Sequence, residues 1–380
     1  MMGGGIQLPF LPLWLAAKGL SVSQIATVVA AMMAVRVIGA PLFASLADYS
    51  GKRFWVIRGC AIAAVISYAA LSFMPTFATI LAMGMFAALF FAPVFPLIEG
   101  FSVDSATALG LDYGRLRLWA SLSFLTGSVA SGALLTVIPA GYTMALITFA
   151  QGLTVLGTFI LPPEPKRPTP GHHATSIELG QALKFLFASR FTIFLLAASL
   201  ANSSHGMMYS FSAVHWTSLG FDTFQIGTLW AAAVLAEVGL FFFSNRIVAD
   251  VGVARLLCIG LFGGVMRWTG MAFATSIFMV AALQALHCIS FASVHLALMH
   301  FIRMYVPIRL RNTAQALYTA FAGGLLLSSV TWASGPLYTR FGGHAYLFMA
   351  AISGTGLMIA LFNLVKLSPT VPVAAVASPP

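Results

Sequence analysis

Residues 23–74 decide the fold: SQIATVVAAMMAVRVIGAPLFASLA (23–47), DYSGKR (48–53), FWVIRGCAIAAVISYAALSFM (54–74). Two apolar runs, each about as long as the roughly 20 residues needed to cross a hydrocarbon core, flank a short charged turn. Such a unit is a helical hairpin that crosses a bilayer and returns.

Outward from this hairpin the same pattern continues. Apolar runs fall at 3–17, 23–47, 54–74, 77–103, 115–138, 141–161, 190–217, 222–246, 254–274, 277–302, 311–338 and 343–366, which predicts an all-α membrane protein of twelve spans. The first run would reach only about 22 Å at 1.5 Å per residue, so either the chain is an N-terminal truncation or helix 1 starts partway into the bilayer. No cleavable signal peptide is expected at Met1–Gly5.

Composition agrees. Of 380 residues, 60% are hydrophobic and 7% charged, against about 25% charged in a soluble domain. The net charge of +10 is spread between apolar runs rather than gathered on one face, which argues against a nucleic-acid partner. Cys60, Cys258 and Cys288 lack metal-ligand spacing and read as small apolar residues, and no metal or cofactor is expected.

Basic residues also set the orientation. Placing loops 2–3, 4–5, 6–7, 8–9 and 10–11 and the C-terminus in the cytoplasm puts fifteen Lys and Arg there; Lys18 and Arg340 fall on the other side, and Arg36 and Arg267 within spans. The stretch PPEPKRPTPGHHAT (162–175) is too polar and proline-rich to span. Residues 162–189 are therefore expected as a cytoplasmic linker between an N-terminal bundle (1–161) and a C-terminal bundle (190–367), with a disordered tail at 368–380.

The halves repeat. Trp14, Gly19 and Gln24-Ile25 recur as Trp216, Gly220 and Gln225-Ile226. Twelve residues beyond each glutamine stand Arg36 and Glu237. Phe91-Ala92-Pro93-Val94 matches Phe291-Ala292-Ser293-Val294, and Arg115-Leu116-Arg117 matches Arg309-Leu310-Arg311. Parallel repeats are a transporter plan.

Asp48, Gly51, Lys52 and Arg53 after helix 2 resemble the conformational loop motif of the major facilitator superfamily, with Ala44 where a glycine usually leads. Within it, Leu8-Pro9-Phe10, Trp14-Leu15, Asp112 to Trp119, Ala236-Glu237, Arg267-Trp268 and Leu286-His287 resemble 3-phenylpropionate (aromatic acid) permeases. More distantly the chain is similar to lactose-permease-type symporters. The resemblance implies two six-helix bundles around a central cavity, a truncated helix 1, a monomer in a bacterial-type inner membrane, and energy drawn from a proton gradient. It also implies substrate contacts at Glu99 and Arg117 and a proton-linked set at Glu237, Arg267 and His287. Ser290 stands where the sugar permeases have a carboxylate.

The residues support these roles on physical grounds, because an ionised group inside a bilayer needs a partner, a wet cavity or a function. Glu99, beyond Pro93 and Pro96, is a substrate or proton carboxylate, or a structural partner of Arg117. Glu237, mid-helix, exchanges a proton or pairs permanently with Arg36 or Arg267. Arg267 lies about 18 Å beyond Arg255 and faces the interior, as a carboxylate clamp or as the counter-ion of Glu237. Arg36 belongs to the coupling set or latches the halves. Gln284, His287, Phe291 and His295 share one face of helix 10. Asn202, His205, Tyr209 and Ser212 form a stripe on helix 7 that lines a cavity or bonds neighbouring helices.

The expected function is proton-coupled symport of a small organic, aromatic carboxylate. A sugar or nucleoside symporter and a drug exporter share the fold. Enzymes and channels are disfavoured by the lack of clustered ligands, nucleophile–base pairs or pore motifs.

Overall fold

The computed structural model describes residues 1–111, 113–161, 189–307 and 310–364. The linker stretch 162–188, the tail, Asp112 and the side chains of Arg115 and Arg117 lie outside the described residues. The described residues are helical and form twelve crossings. Span 1 is Met2–Ala17, span 2 Val22–Ser50 and span 3 Arg53–Leu71. Span 4 consists of Phe77–Phe91 and Val94–Leu109, span 5 is Tyr113–Leu134 and span 6 Thr143–Ile160. Span 7 consists of Ser189–Ser203 and Gly206–Ser218, span 8 of Thr223–Phe242 with Ser244–Val251, and span 9 is Val253–Phe273. Span 10 runs from Ile277–Ala285 to Val294–Tyr305, span 11 from Arg311–Tyr318 to Leu327–Phe341, and span 12 is Tyr346–Leu364.

The repeated Gln24 and Gln225 have a local explanation. Each is the third residue of its helix and closes a capping box: Gln24 Oε1 accepts from the Ser21 N–H at 2.9 Å, and Gln225 Oε1 from the Asp222 N–H at 3.0 Å. The box satisfies backbone donors that the first helical turn leaves unpaired. Spans 4 and 10 start alike, at the N-caps Thr76 and Ser276.

At the opposite end, Gly51 closes span 2 in the left-handed conformation (φ 63°), which suits a residue without Cβ. Arg53 then turns inward: it is 5% exposed and lies 2.9 Å from Asp104 of span 4. Asp48 and Lys52 remain on the surface. The loop motif thus pins span 3 to span 4.

Two seams join the halves, both built on small residues. Span 5 lies on span 8 where Ser128 Oγ donates to Gly227 O at 3.0 Å and Thr223 Oγ1 to Gly132 O at 2.8 Å. A Cβ at Gly227 would collide with the Ser128 carbonyl. Span 2 lies on span 11, where Gly335 packs against Ala26 and Thr331 Oγ1 reaches Met33 Sδ at 3.6 Å. Both seams lie toward the side that carries the Lys18 loop, which brings the halves together there.

Several spans are irregular along their length. Span 4 breaks at Ala92–Pro93, as the prolines predict, because proline lacks a donor and crowds the preceding turn. Span 7 breaks at Ser204–His205. Spans 10 and 11 carry π-helical segments, Cys288–Ser293 and Thr319–Leu326.

Candidate substrate and proton site

The break in span 7 positions the first component. The Ala201 and Asn202 carbonyls at the end of Ser189–Ser203 lose continuous helical partners, and His205 Nδ1 lies 3.1 Å and 3.2 Å from them. Carbonyls only accept, so Nδ1 carries the proton and Nε2 is left as the acceptor. That acceptor faces Arg267 NH1 of span 9 at 3.3 Å.

Arg267 is 1% exposed and is the hub. Its NH1 also lies 3.0 Å from His287 Nδ1 and donates to Ser290 Oγ at 3.2 Å, and NH2 donates to Gln284 Oε1 at 2.6 Å. Trp268 packs 4.4 Å from the guanidinium carbon and is held by its own N–H bond to Ser204 Oγ at 2.9 Å. Gln284 is oriented in turn by donating to the Leu229 carbonyl of span 8 at 3.1 Å.

The same logic assigns His287. A guanidinium can only donate, so Nδ1 accepts and the ring proton sits on Nε2. That nitrogen lies 3.6 Å from Glu237 Oε2. Arg267, His287 and Glu237 therefore form a directed series in which both histidines are neutral while Arg267 holds them. His287 stands between Glu237 and Arg267, so the direct Arg267–Glu237 salt bridge is not formed.

These groups open onto a cavity of about 180 Å³ between the halves. Leu8, Ser121 and Phe124 line it from the first half; Tyr209, Trp230, Glu237, His287 and Phe291 line it from the second. Phe291 stacks on His287 at 5.0 Å, and Tyr209 on Trp230 at 6.1 Å. The chamber combines aromatic walls with one carboxylate, the Arg267 guanidinium and two neutral imidazoles, those of His205 and His287.

Of the sequence candidates, the structure brings together Arg267, His205, Tyr209, Glu237 and His287. Asn202 is elsewhere: its amide donates to the Ala322 carbonyl in the π segment of span 11 at 3.2 Å, so this end of the stripe bonds helices rather than lining the cavity. Glu99 is half-buried on the second segment of span 4 and is not part of the cavity wall. Arg36 does not join Glu237. Its span packs on spans 4 and 11, so the guanidinium meets the Phe91 ring at 5.7 Å and interacts with Tyr68 instead. Ser204, Gln7 and Tyr68 stand out by no sequence signal, and Ser290 only as a departure from the sugar-permease pattern. Small and uncharged polar residues carry little signal in an apolar span.

The sequence profile of the MFS_1-like family matches residues 3–350. The chain belongs to the MFS_1-like family. Over 350 residues, covering 92% of this chain and 91% of the other, it is 29% identical to the "Probable 3-phenylpropionic acid transporter" of Escherichia coli strain K12. Over 343 residues, covering 84% and 80%, it is 26% identical to a maltose permease of Geobacillus stearothermophilus. Among solved structures, a mutant form of the nucleoside transporter NupG superposes with a TM-score of 0.84 at 16% identity, covering 95% and 96%. A bacterial homolog of the human lysosomal transporter Spinster, inward-facing and unoccupied, superposes with a TM-score of 0.66 at 14% identity, covering 95% and 91%. The twelve-crossing arrangement is therefore the major facilitator fold, and this MFS_1-like protein is a multi-pass membrane transporter rather than an enzyme.

Proposed function

We propose that this transporter is a proton-coupled symporter that carries a small aromatic carboxylate inward by alternating access. The observation that carries the reading is the Arg267–His287–Glu237 series opening onto an aromatic-lined cavity between the halves. Glu237 is the proton site and His287 its neighbour in the relay. A proton arriving at Glu237 removes its charge and weakens the hold on the His287 N–H, which frees the cluster to rearrange. Phe291, Tyr209 and Trp230 offer faces and edges on which an aromatic ring stacks. The similarity to the E. coli protein supports a phenylpropionate-like cargo.

Alternating access has a mechanical basis in the two seams, which join the halves on the Lys18 side. With the basic loops cytoplasmic, that arrangement corresponds to an inward-facing state of an inner-membrane protein. The Arg53–Asp104 pair and Gly51 set the loop that moves with the first half, Asp48 and Lys52 belong to the same motif, and Glu99 and Arg117 serve the cargo's path from the cytoplasmic end. The protein works as a monomer with a proton gradient as its energy source.

Vesicles of cytoplasm-in orientation provide the test. Labelled 3-phenylpropionate is expected to accumulate when the outside is acidified, and a protonophore is expected to abolish the accumulation. Absence of uptake by vesicles that contain the protein refutes the reading. A sugar symporter is the second reading, favoured by the maltose permease similarity; uptake of maltose under the same gradient, with no aromatic acid uptake, would select it. Gradient-driven efflux of either cargo would select an exporter.

A further inference from the structure

Arg36 is a guanidinium inside span 2 that the relay does not use. Its position follows from its neighbours. Met33 and Val37 face span 11, through Thr331 and Gly324 respectively, whereas Gly39 lies against the Leu89 carbonyl of span 4. At about 100° per residue, Arg36 falls between these directions and points into the wedge between spans 4 and 11. There the guanidinium carbon lies 5.7 Å from the Phe91 ring, beside Tyr68 of span 3. Tyr68 is fully buried, and its hydroxyl donates to Gln7 Oε1 of span 1 at 3.0 Å.

No carboxylate pairs with Arg36 among the described residues, and its Nε is buried with no hydrogen-bond partner. The residue as a whole is only half-buried, and NH1 and NH2, unlike Nε, are not among the buried polar atoms that lack a partner. A membrane-embedded cation without a counter-ion is costly enough that an anion is expected to visit it. Among the described residues Arg267 also lacks a carboxylate partner and a partner for its Nε, but its terminal nitrogens are engaged. Its NH1 and NH2 are occupied by His205, His287, Ser290 and Gln284, and it is 1% exposed. A carboxylate gripping NH1 and NH2 together would displace His287, Ser290 or Gln284 from them.

Resting on the reading of an aromatic carboxylate as cargo, we infer that Arg36, flanked by Tyr68 and Gln7, is the docking site for the cargo's carboxylate. Arg267 then organises the proton relay and does not clamp the anion. The fork of Arg36 gives two parallel N–H donors, and the Phe91 face keeps it in place. The cargo's charge is held by the first half and its proton by the second, so one substrate engages both moving bodies.

The test measures binding of 3-phenylpropionate and of its neutral amide, 3-phenylpropionamide, to the purified full-length protein by calorimetry. Arg36→Gln is expected to weaken the acid by about 30-fold or more, the effect of truncating one partner of a buried charge pair, and to leave the amide unchanged. Equal weakening of both ligands, as for an interdomain latch, overturns the assignment; so does an unchanged acid-to-amide ratio. Arginine modification by phenylglyoxal, read by peptide mass spectrometry on the wild type, gives an answer even if the variant does not fold. Saturating acid should protect Arg36 and the amide should not. Modification unaffected by the acid, or an Arg36 inert without ligand, overturns the proposal. A wild type that binds neither compound refutes the cargo class itself, whereas wild-type binding retained in Arg36→Gln refutes only the role of Arg36.

Discussion

His287 has one nitrogen committed to Arg267 and the other, with its proton, turned toward Glu237. Only the Glu237 side of this pair exchanges a proton without breaking the Arg267 contacts. Glu237→Gln keeps the shape and the acceptor oxygen but removes the exchangeable proton. Uptake by this variant is expected to stop responding to an imposed pH gradient, and internal 3-phenylpropionate should rise no higher than the external concentration. Exchange of labelled for unlabelled cargo should persist. Measuring both in the same vesicles checks the assignment, and gradient-driven accumulation by the variant would remove Glu237 from the relay. Arg267, Glu237 and His287 were legible in the sequence because ionisable groups are rare in apolar spans and expensive without a role. Ser290 and Gln284 were not legible as Arg267 partners: a serine or glutamine within a span carries no such cost signal, and the π segment at Cys288–Ser293 departs from the 3.6-residue register used to draw faces. Arg36 was legible as unusual, but its lack of an ionic partner emerged only when span 2 was seen to turn it toward Phe91.

Among the elements, the repeat proves informative where it differs. Phe91-Ala92-Pro93-Val94 and Phe291-Ala292-Ser293-Val294 occupy matching places, and the helix is irregular at both. Proline interrupts it in span 4, and a π segment does so in span 10. Each irregularity loosens backbone hydrogen bonding, which a membrane tolerates only within protein, and the one in span 10 adjoins the cavity through Phe291. The proline could be read ahead; the π segment has no composition signal. The seam of spans 5 and 8 gives a prediction at this scale. Gly227→Trp leaves no room for the Ser128 carbonyl and should force the halves apart on the Lys18 side. In a background lacking Cys60, Cys258 and Cys288, Ser131→Cys next to the seam is 2% exposed as serine and should react slowly with a water-soluble maleimide. Adding Gly227→Trp should raise the labelling rate several-fold. An unchanged rate would show that the seam is not what closes this side.

For the whole molecule, the number and placement of the crossings came through well, because twenty-residue apolar runs have few alternatives in a chain this hydrophobic. Boundaries shifted where polar ends continue helically, as in span 4, which reaches Leu109. The charge asymmetry between the two sets of loops predicts sidedness. An impermeant thiol reagent added to intact cells should label Lys18→Cys and spare Lys52→Cys, both exposed positions. The reverse pattern would invert the orientation and turn the proposed importer geometry inside out.

The placement of the tryptophans has an optical consequence. Trp268 lies 4.4 Å from the Arg267 guanidinium carbon and stacks on Tyr346, and Trp230 forms part of the cavity wall beside Glu237. Trp14 and Trp216 are buried in the core, away from this wall. Indole emission depends on nearby charge and polarity, so loading the cavity changes the light of Trp230, and loosening the Arg267 cluster changes that of Trp268. The two events become separable by replacing one indole at a time with phenylalanine, and the transporter reports its own occupancy without an added dye.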